Sequence, residues 1–273
     1  MKFGYYPGCS LTGTAKEYDK TVRKTAEVLG IELIEINDWN CCGATSAHIT
    51  SHQLALSLSA RNLLLASKQG LKEIVAPCAA CYSRLSLSAE ELIKKPEAKK
   101  EIENLLGEEI LEIPKILNLV QMYQRVGADK ILNKQKNSSG KLKSACYYGC
   151  LLVRPAGLNS FDDSEEPESM EEIASLCGAE PISWNFKTEC CGAAHSIARK
   201  DIVVDLSHKI LKDAKDKKAD VVITACPMCH TNLDMRQKDI KRKYKDHEKI
   251  PVLYLSEFVG LSLGLTKEEL GIN

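Results

Sequence analysis

Ten of the chain's twelve cysteines fall into two sets with the same internal order. Cys9, Cys41, Cys42, Cys78 and Cys81 form the first; Cys150, Cys190, Cys191, Cys226 and Cys229 form the second. Each set reads as a single cysteine, a vicinal Cys-Cys-Gly and a Cys-x-x-Cys. Thiolates are soft ligands that select zinc or iron-sulfur clusters. A structural zinc is satisfied by four tetrahedral ligands, so five thiols leave one sulfur without a task. An iron-sulfur cluster offers several iron atoms to several thiolates and takes up the fifth cysteine. Gly43 and Gly192, beside the vicinal pairs, can adopt backbone angles that bring the chain close to an inorganic core. Two zinc sites and a metal-free dithiol centre are the competing readings of the same residues.

Cys146 and Cys177 stand outside this pattern. Aligning Val28-Leu29-Gly30 with Leu176-Cys177-Gly178 puts Cys177 where the first set has Leu29, a core helix position. Cys146 opens an apolar strand and has no counterpart, which leaves it as a shifted alternative to Cys150. His48 and His195 follow the two Cys-Cys-Gly turns and are candidates for proton delivery or substrate binding, against the plainer reading of surface histidines. Trp39 and Trp184 read as packing or as cover over a cluster. Lys16, Arg61, Arg154 and Arg199 are candidates to line an anionic-substrate site, against the plainer reading of solvated helix faces.

These residues sit in a frame that is written twice. EIVAPCAACYSRL (Glu73 to Leu85) matches DVVITACPMCHTNL (Asp220 to Leu233), and GIELIEINDWNCCGATSAH (Gly30 to His48) matches GAEPISWNFKTECCGAAH (Gly178 to His195). YYPGCS (Tyr5 to Ser10) corresponds to YYGCLL (Tyr147 to Leu152), and EIPKILNLV (Glu112 to Val120) to KIPVLYLSEFV (Lys249 to Val259). Such self-similarity marks a repeated supersecondary unit. Each unit reads strand, cysteine turn, helix, strand, Cys-Cys-Gly turn, helix, strand, Cys-x-x-Cys turn, helix, with long helical patterns at Gln53 to Lys68 and Ile202 to Lys217. Alternation of this kind implies βαβ crossovers and a mostly parallel sheet, and sites in such sheets gather beyond the carboxyl ends of the strands. The expected fold is α/β: two pseudo-repeated domains, each a small, mostly parallel sheet with flanking helices. The polar stretch LNKQKNSSGKLKS (Leu132 to Ser144) reads as the linker. With the boundary near Ser139, the domains are residues 1–138 and 139–273.

Across 273 residues, Lys plus Arg and Asp plus Glu each total 37, so no charge excess points to nucleic acid or an anionic membrane. No stretch reaches the roughly 18 apolar residues of a membrane span, and Met1 to Ser10 lacks the pattern of an export signal. The expectation is a cytoplasmic protein whose cysteines bind metal or do catalysis rather than form a disulfide scaffold.

The doubled units resemble a known family. YYPGCSLTGTAKEYD (Tyr5 to Asp19), DWNCCGATSAH (Asp38 to His48), ACYYGCLLVRP (Ala145 to Pro155) and TACPMCHTNLD (Thr224 to Asp234) are similar to the B subunit of heterodisulfide reductase, a Cys-Cys-Gly (CCG) domain protein, over nearly the whole chain. The resemblance implies two non-cubane [4Fe-4S] clusters facing one another across the substrate site. Cys9, Cys41, Cys42, Cys78 and Cys81 would hold one, and Cys150, Cys190, Cys191, Cys226 and Cys229 the other. It also implies reduction of a disulfide, either the coenzyme M-coenzyme B heterodisulfide of methanogenesis or a related one, to thiols. The implied partners are the C subunit of heterodisulfide reductase, which relays electrons through iron-sulfur clusters, and the A subunit, which carries FAD and iron-sulfur clusters. CCG subunits of lactate and glycolate oxidation systems are the alternative, although these often lack cysteines that are complete here.

Overall fold

The computed structural model describes residues 1–44, 47–138, 140, 142–157 and 161–272. The first repeat runs β1 (Lys2–Tyr5), α1 (Gly8–Thr12), α2 (Lys16–Val28), β2 (Glu32–Glu35), α3 (Ala47–Thr50), α4 (His52–Lys68), β3 (Glu73–Val75), α5 (Ala79–Lys94), α6 (Pro96–Leu106), β4 (Lys115–Leu117), α7 (Leu119–Val126) and α8 (Ala128–Lys134). The second runs β5 (Lys143–Tyr147), α9 (Ser169–Leu176), β6 (Glu180–Pro181), a 3-10 turn (Ala193–His195), α10 (Lys200–Asp216), β7 (Val221–Thr224) and α11 (Pro227–His230). A π-helical turn (Thr231–Met235), α12 (Gln237–Lys243), β8 (Val252–Tyr254), α13 (Leu255–Ser262) and α14 (Lys267–Leu270) complete it.

Each repeat builds one four-stranded sheet, ordered β2-β1-β3-β4 and β6-β5-β7-β8, and every strand pair is parallel. The central strands are short apolar runs buried along their length, as Val221–Thr224 is, because helices cover both faces. In each sheet the chain turns outward in opposite directions from the first strand, so a crevice opens at the carboxyl ends of β1 and β3, and again of β5 and β7. The helices that follow start at local signals. Ser51 Oγ accepts the Leu54 N–H at the head of α4, and Asn118 and Gln121 form a reciprocal cap on α7. Among the described residues no helix is long and apolar enough to cross a membrane.

The two repeats interlock. α13, which follows the last strand of the second repeat, packs on α2 of the first, and α7, which follows the last strand of the first, packs on α9 of the second. Thr21 and Ser256 hydroxyls meet at 2.6 Å in that buried seam, and Lys20 Nζ donates to the Glu268 carbonyl at 3.0 Å. The polar linker is shorter than its composition indicates, since α8 runs to Lys134 and β5 begins at Lys143; the boundary residue Ser139 lies outside the described residues. The repeats also differ where their sequences do. After Cys9 the chain goes almost at once into the thirteen-residue α2, whereas the corresponding α9 is an eight-residue helix that begins only at Ser169.

Candidate metal centre

All ten cysteines of the two sets lie beyond the strands' carboxyl ends, on the turns or in the first turn of the helix that follows: Cys9 and Cys150 after β1 and β5, the vicinal pairs after β2 and β6, and the Cys-x-x-Cys segments after β3 and β7, with Cys9, Cys81 and Cys229 already in α1, α5 and α11. In the first set Cys42 and Cys81 sulfurs are 3.5 Å apart, and in the second Cys191 and Cys229 are 3.7 Å apart. Cys42, Cys78 and Cys81 are buried while Cys9 and Cys41 are exposed; Cys191, Cys226 and Cys229 are buried, Cys190 is exposed and Cys150 lies between. Each set therefore has an anchored inner side and an open outer side. Across the seam the two sets are neighbours: Ala79 and Ala80, next to Cys78, share a cavity wall with Cys226 and Cys229, and the Cys78 and Cys226 thiols bear on one another's ionisation.

The remaining cysteines lie apart from the sets. Cys146 is buried on β5, where the charges that bear on it are Glu171 and Lys187 rather than other thiols; burial pushes its thiol up. Cys177 caps α9 with its side chain fully buried and reaching Ser262, in the core position that Leu29 fills in the first repeat.

The backbone around each set is shaped for close approach. Gly43 and Gly192 take φ of +78° and +80°, and their N–H groups donate to the Cys41 and Cys190 sulfurs at 3.4 and 3.3 Å. Gly8 and Gly149 both have φ +65°, and a Cβ on them would stand 3.0 Å from the Cys81 sulfur and 3.1 Å from the Cys229 sulfur. Any side chain there would push into the thiol group.

Two tyrosines brace the vicinal pairs. Tyr6, three residues before Cys9, donates from its hydroxyl to the Asn40 carbonyl at 2.7 Å; Tyr147, three residues before Cys150, donates to the Glu189 carbonyl at 2.6 Å. Asn40 and Glu189 immediately precede the Cys-Cys pairs, so each phenol ties the first cysteine turn to the second. Trp39 and Trp184 pack against these rings with centroids 5.5 and 6.2 Å away. The tryptophans act as packing, as their sequence suggests. The tyrosines, which composition alone does not single out, are recognisable afterwards as a Tyr-x-x-Cys spacing common to both repeats.

The electrostatics of the sets suit a cationic core. Hydrogen bonds from Cys41 and Cys81 hold Cys42 down to about 3, and one from Cys150 holds Cys190 down to about 6. Hydrogen bonds from Cys229 and Cys78 hold Cys226 well below its usual range. The donors are pushed the other way: Cys41 and Cys150 are raised, first by those same hydrogen bonds and then by burial. Closely packed thiols cannot all ionise unaided, and a bound cation removes that conflict. Among the described residues no three His, Cys, Asp or Glu side chains converge on the position of a single metal ion. In each set a vicinal pair instead meets the Cys-x-x-Cys segment, at Cys42 and Cys81 and at Cys191 and Cys229, a thiol-only donor set that fits a multi-iron group.

Of the other sequence candidates, His195 is exposed and near enough to Cys190 for its charge to favour the thiolate, whereas His48 is exposed on α3. Arg61, Arg154 and Arg199 are drawn into ion pairs with Asp38, Glu165 and Asp201, and Lys16 is exposed at the head of α2. Two residues hold matching places one helical turn beyond the inner thiols. Asn232 Nδ2 donates to the Cys191 carbonyl at 3.2 Å and lies 3.4 Å from the Cys191 sulfur. Arg84, its counterpart in the repeat, is half-buried and bears on Cys42. A cavity of about 40 Å³ beside the second set is walled by Cys150, Cys190, Cys226, Tyr148 and Met228 from one repeat and by Ala79 and Ala80 from the other.

Two interlocked parallel sheets that bring a doubled five-cysteine set together at one seam define a tandem cysteine-rich domain protein. The cysteine-rich domain family CCG matches residues 3–86 and 144–234, and the chain belongs to it. The chain is 32% identical over 275 residues to the 8-methylmenaquinol:fumarate reductase membrane anchor subunit of Wolinella succinogenes, covering 100% of this chain and 95% of that one. It is 27% identical over 279 residues to the B subunit of the ferredoxin/F(420)H(2)-dependent CoB-CoM heterodisulfide reductase of Methanosarcina acetivorans, covering 99% and 92%. A protein of Archaeoglobus profundus described as similar to the heterodisulfide reductase B subunit is 25% identical over 284 residues, with 98% and 93% covered. A hypothetical protein from Helicobacter pylori shares the fold, with a TM-score of 0.79 at 16% identity; the match covers 99% of this chain and 50% of that one.

Proposed function

We propose that each five-cysteine set holds a non-cubane [4Fe-4S] cluster and that the chain is the catalytic iron-sulfur subunit of a heterodisulfide reductase-type complex. The observation that carries this reading is the meeting of two complete sets at Cys78 and Cys226, with a small cavity beside them walled by both repeats. When bound, such clusters supply electrons one at a time. A disulfide takes up two electrons and two protons to become two thiols, so two adjacent one-electron sites match its demand. The inner thiols, Cys42, Cys78 and Cys81 with Cys191, Cys226 and Cys229, anchor the clusters in the core. The outer ones, Cys9, Cys41, Cys150 and Cys190, border the side from which a substrate arrives. His195, in the 3-10 turn after the Cys190-Cys191 pair, is the candidate proton donor of the second set, and His48, on α3, that of the first. The reading includes a cytoplasmic location, partner subunits that bring electrons through FAD and iron-sulfur clusters, and domains divided at residues 138 and 139.

The full-length likeness to a fumarate reductase subunit favours a second reading, in which the same two centres pass electrons in a quinol-linked dicarboxylate reductase complex and make no sulfur bond of their own. One experiment separates the two. The complex is purified anaerobically from its native host and supplied with a low-potential donor, and thiol release from several disulfides is measured beside fumarate reduction. Disulfide-dependent thiol release that is lost in both Cys42→Ala and Cys191→Ala supports the first reading; fumarate turnover with no thiol release overturns it in favour of the second.

A further inference from the structure

The two vicinal pairs are held by different elements. Both repeats set a seventeen-residue helix, α4 and α10, against the Cys-Cys-Gly turn, and each helix carries a fully buried serine at the same place, Ser59 and Ser207. The residues just before these serines, Leu58 and Leu206, lie against Gly43 and Gly192, which fixes the correspondence in space as well as in sequence. Their hydroxyls nevertheless differ in use. Ser59 Oγ donates to the Cys42 carbonyl at 3.0 Å. Among the described residues the buried Ser207 Oγ has no hydrogen-bond partner, and the Cys191 carbonyl takes its bond from Asn232 Nδ2 instead.

Asn232 does more than replace a serine. It sits in the π-helical turn that follows Cys229, a rare form of helix that is frequent at functional sites. Its side chain is fully buried, and both ends are engaged. Nδ2, with two hydrogens to give, meets the Cys191 carbonyl at 3.2 Å and the Cys191 sulfur at 3.4 Å, while Oδ1 accepts from Ser196 Oγ at 3.0 Å. Arg236, just past the same turn, donates to the Ser196 carbonyl at 3.0 Å. The segment from Cys191 to Ser196 is thus gripped at both ends from the Cys-x-x-Cys side.

We propose that Asn232 is the positioning residue of the second centre: it locks the Cys190-Cys191 turn to the Cys-x-x-Cys segment and donates to the Cys191 sulfur, whereas in the first repeat α4 holds the equivalent turn through Ser59. This inference rests on the cluster reading above. Hydrogen bonds that orient a ligand also tune the metal group it holds. An N–H aimed at a thiolate favours the more negative, reduced state of an iron-sulfur centre. Loss of the amide therefore lowers the potential of the second centre and leaves the first alone.

The test is an equilibrium redox titration of the anaerobically purified holoprotein with dithionite, followed by EPR and visible absorption. Each reduction step is assigned by whether Cys42→Ala or Cys191→Ala removes it. Asn232→Ala, which adds no charge, and Asn232→Asp, which keeps the size of the side chain, should both move the second centre's step to lower potential and leave the first centre's step in place. The serines give a check that does not depend on the folding of a variant at a buried asparagine. Ser59→Ala should alter the EPR signal of the first centre, and Ser207→Ala should alter neither. The proposal is overturned if Ser207→Ala disturbs the second centre as Ser59→Ala disturbs the first, if Ser59→Ala changes nothing, or if a folded Asn232 variant keeps the wild-type step. A folded wild-type protein with no reducible iron-sulfur signal overturns the cluster reading and this inference together, whereas two centres with unshifted steps overturn this inference alone.

Discussion

The rings of Tyr18 and Tyr254 lie parallel within 10°, with centroids 4.0 Å apart, although one belongs to α2 and the other ends β8. His230, next to the ligand candidate Cys229, stacks on the other face of Tyr254 at 4.0 Å, and the Tyr18 hydroxyl donates to the Pro77 carbonyl beside Cys78. The stack carries contact from one Cys-x-x-Cys turn to the other through the seam. It predicts that the repeats unfold as one unit. In a double-mutant cycle on the nearby Thr21–Ser256 hydroxyl pair, Thr21→Val and Ser256→Ala should show a coupling of about 0.5–1.5 kcal/mol, measured by urea unfolding of the holoprotein. Additivity within error, or two separate transitions, would show that the repeats are energetically independent.

Metal content is the most direct test of the donor sets. Anaerobically purified protein should carry about eight iron atoms with matching acid-labile sulfide, four for each five-thiol set. A zinc-rich, sulfide-poor preparation from the native host would overturn the cluster reading.

The cysteines should not be equally sensitive. Cys177→Ala should keep the full iron content and lose about 1 kcal/mol of stability or slightly more, the consequence of a small cavity in the core. Cys42→Ala and Cys191→Ala should each lose one cluster's worth of iron and its spectroscopic signal. Iron loss in Cys177→Ala would show that the assignment of ligands is shifted.

Tyr6→Phe and Tyr147→Phe remove one hydroxyl each and leave the Asn40 or Glu189 carbonyl without that donor. Each should cost about 1–2 kcal/mol, seen as a lower thermal midpoint, and should disturb the EPR signal of its own set only. Unchanged spectra in both variants would reduce these tyrosines to ordinary core residues.

Glu257, buried at the head of α13, is pushed up to about 7 chiefly by burial, with Glu17 and Asp234 adding to the effect. The folded state therefore keeps a proton that the unfolded chain gives up near its ordinary value of 4.5, and stability should fall as pH rises through the window between the two. The loss is on the order of 3 kcal/mol across that window. Glu257→Gln should flatten this part of the stability–pH curve in chemical unfolding; a curve as steep as wild type would assign the dependence to another group.

Much of this was legible in the residues because repetition supplies its own control. A lone Cys-Cys-Gly is ambiguous, but a second copy in the same order marks ten positions as candidates that belong together, and the strand-turn-helix pattern around them indicates parallel sheets with the cysteines at one edge. The parts that stayed hidden depend on tertiary contact. Nothing in the spacing of Arg61 or Arg199 reveals that Asp38 and Asp201 hold them, or that Asn232, inside the matched segment itself, lies with its amide against the Cys191 sulfur. Gly8 and Gly149 are conspicuous only once a sulfur is seen where their side chain would be. The crossing of α7 and α13 into the opposite repeat leaves no local signal, because a helix with an apolar face reads the same whichever neighbour covers it.

That crossing implies something about how a chain of this kind could come to exist. Either half made alone would carry a bare apolar helix face, and the surface best shaped to cover it is the equivalent surface on a second copy of the same half. An undoubled ancestor would thus be a homodimer, related by a two-fold axis close to the point where Cys78 now meets Cys226. In such a dimer any substitution beside one thiol set is imposed on the other as well. Joining the halves into one chain lifts that constraint, and it is what allows an arginine to stand on one side of the axis and an asparagine on the other.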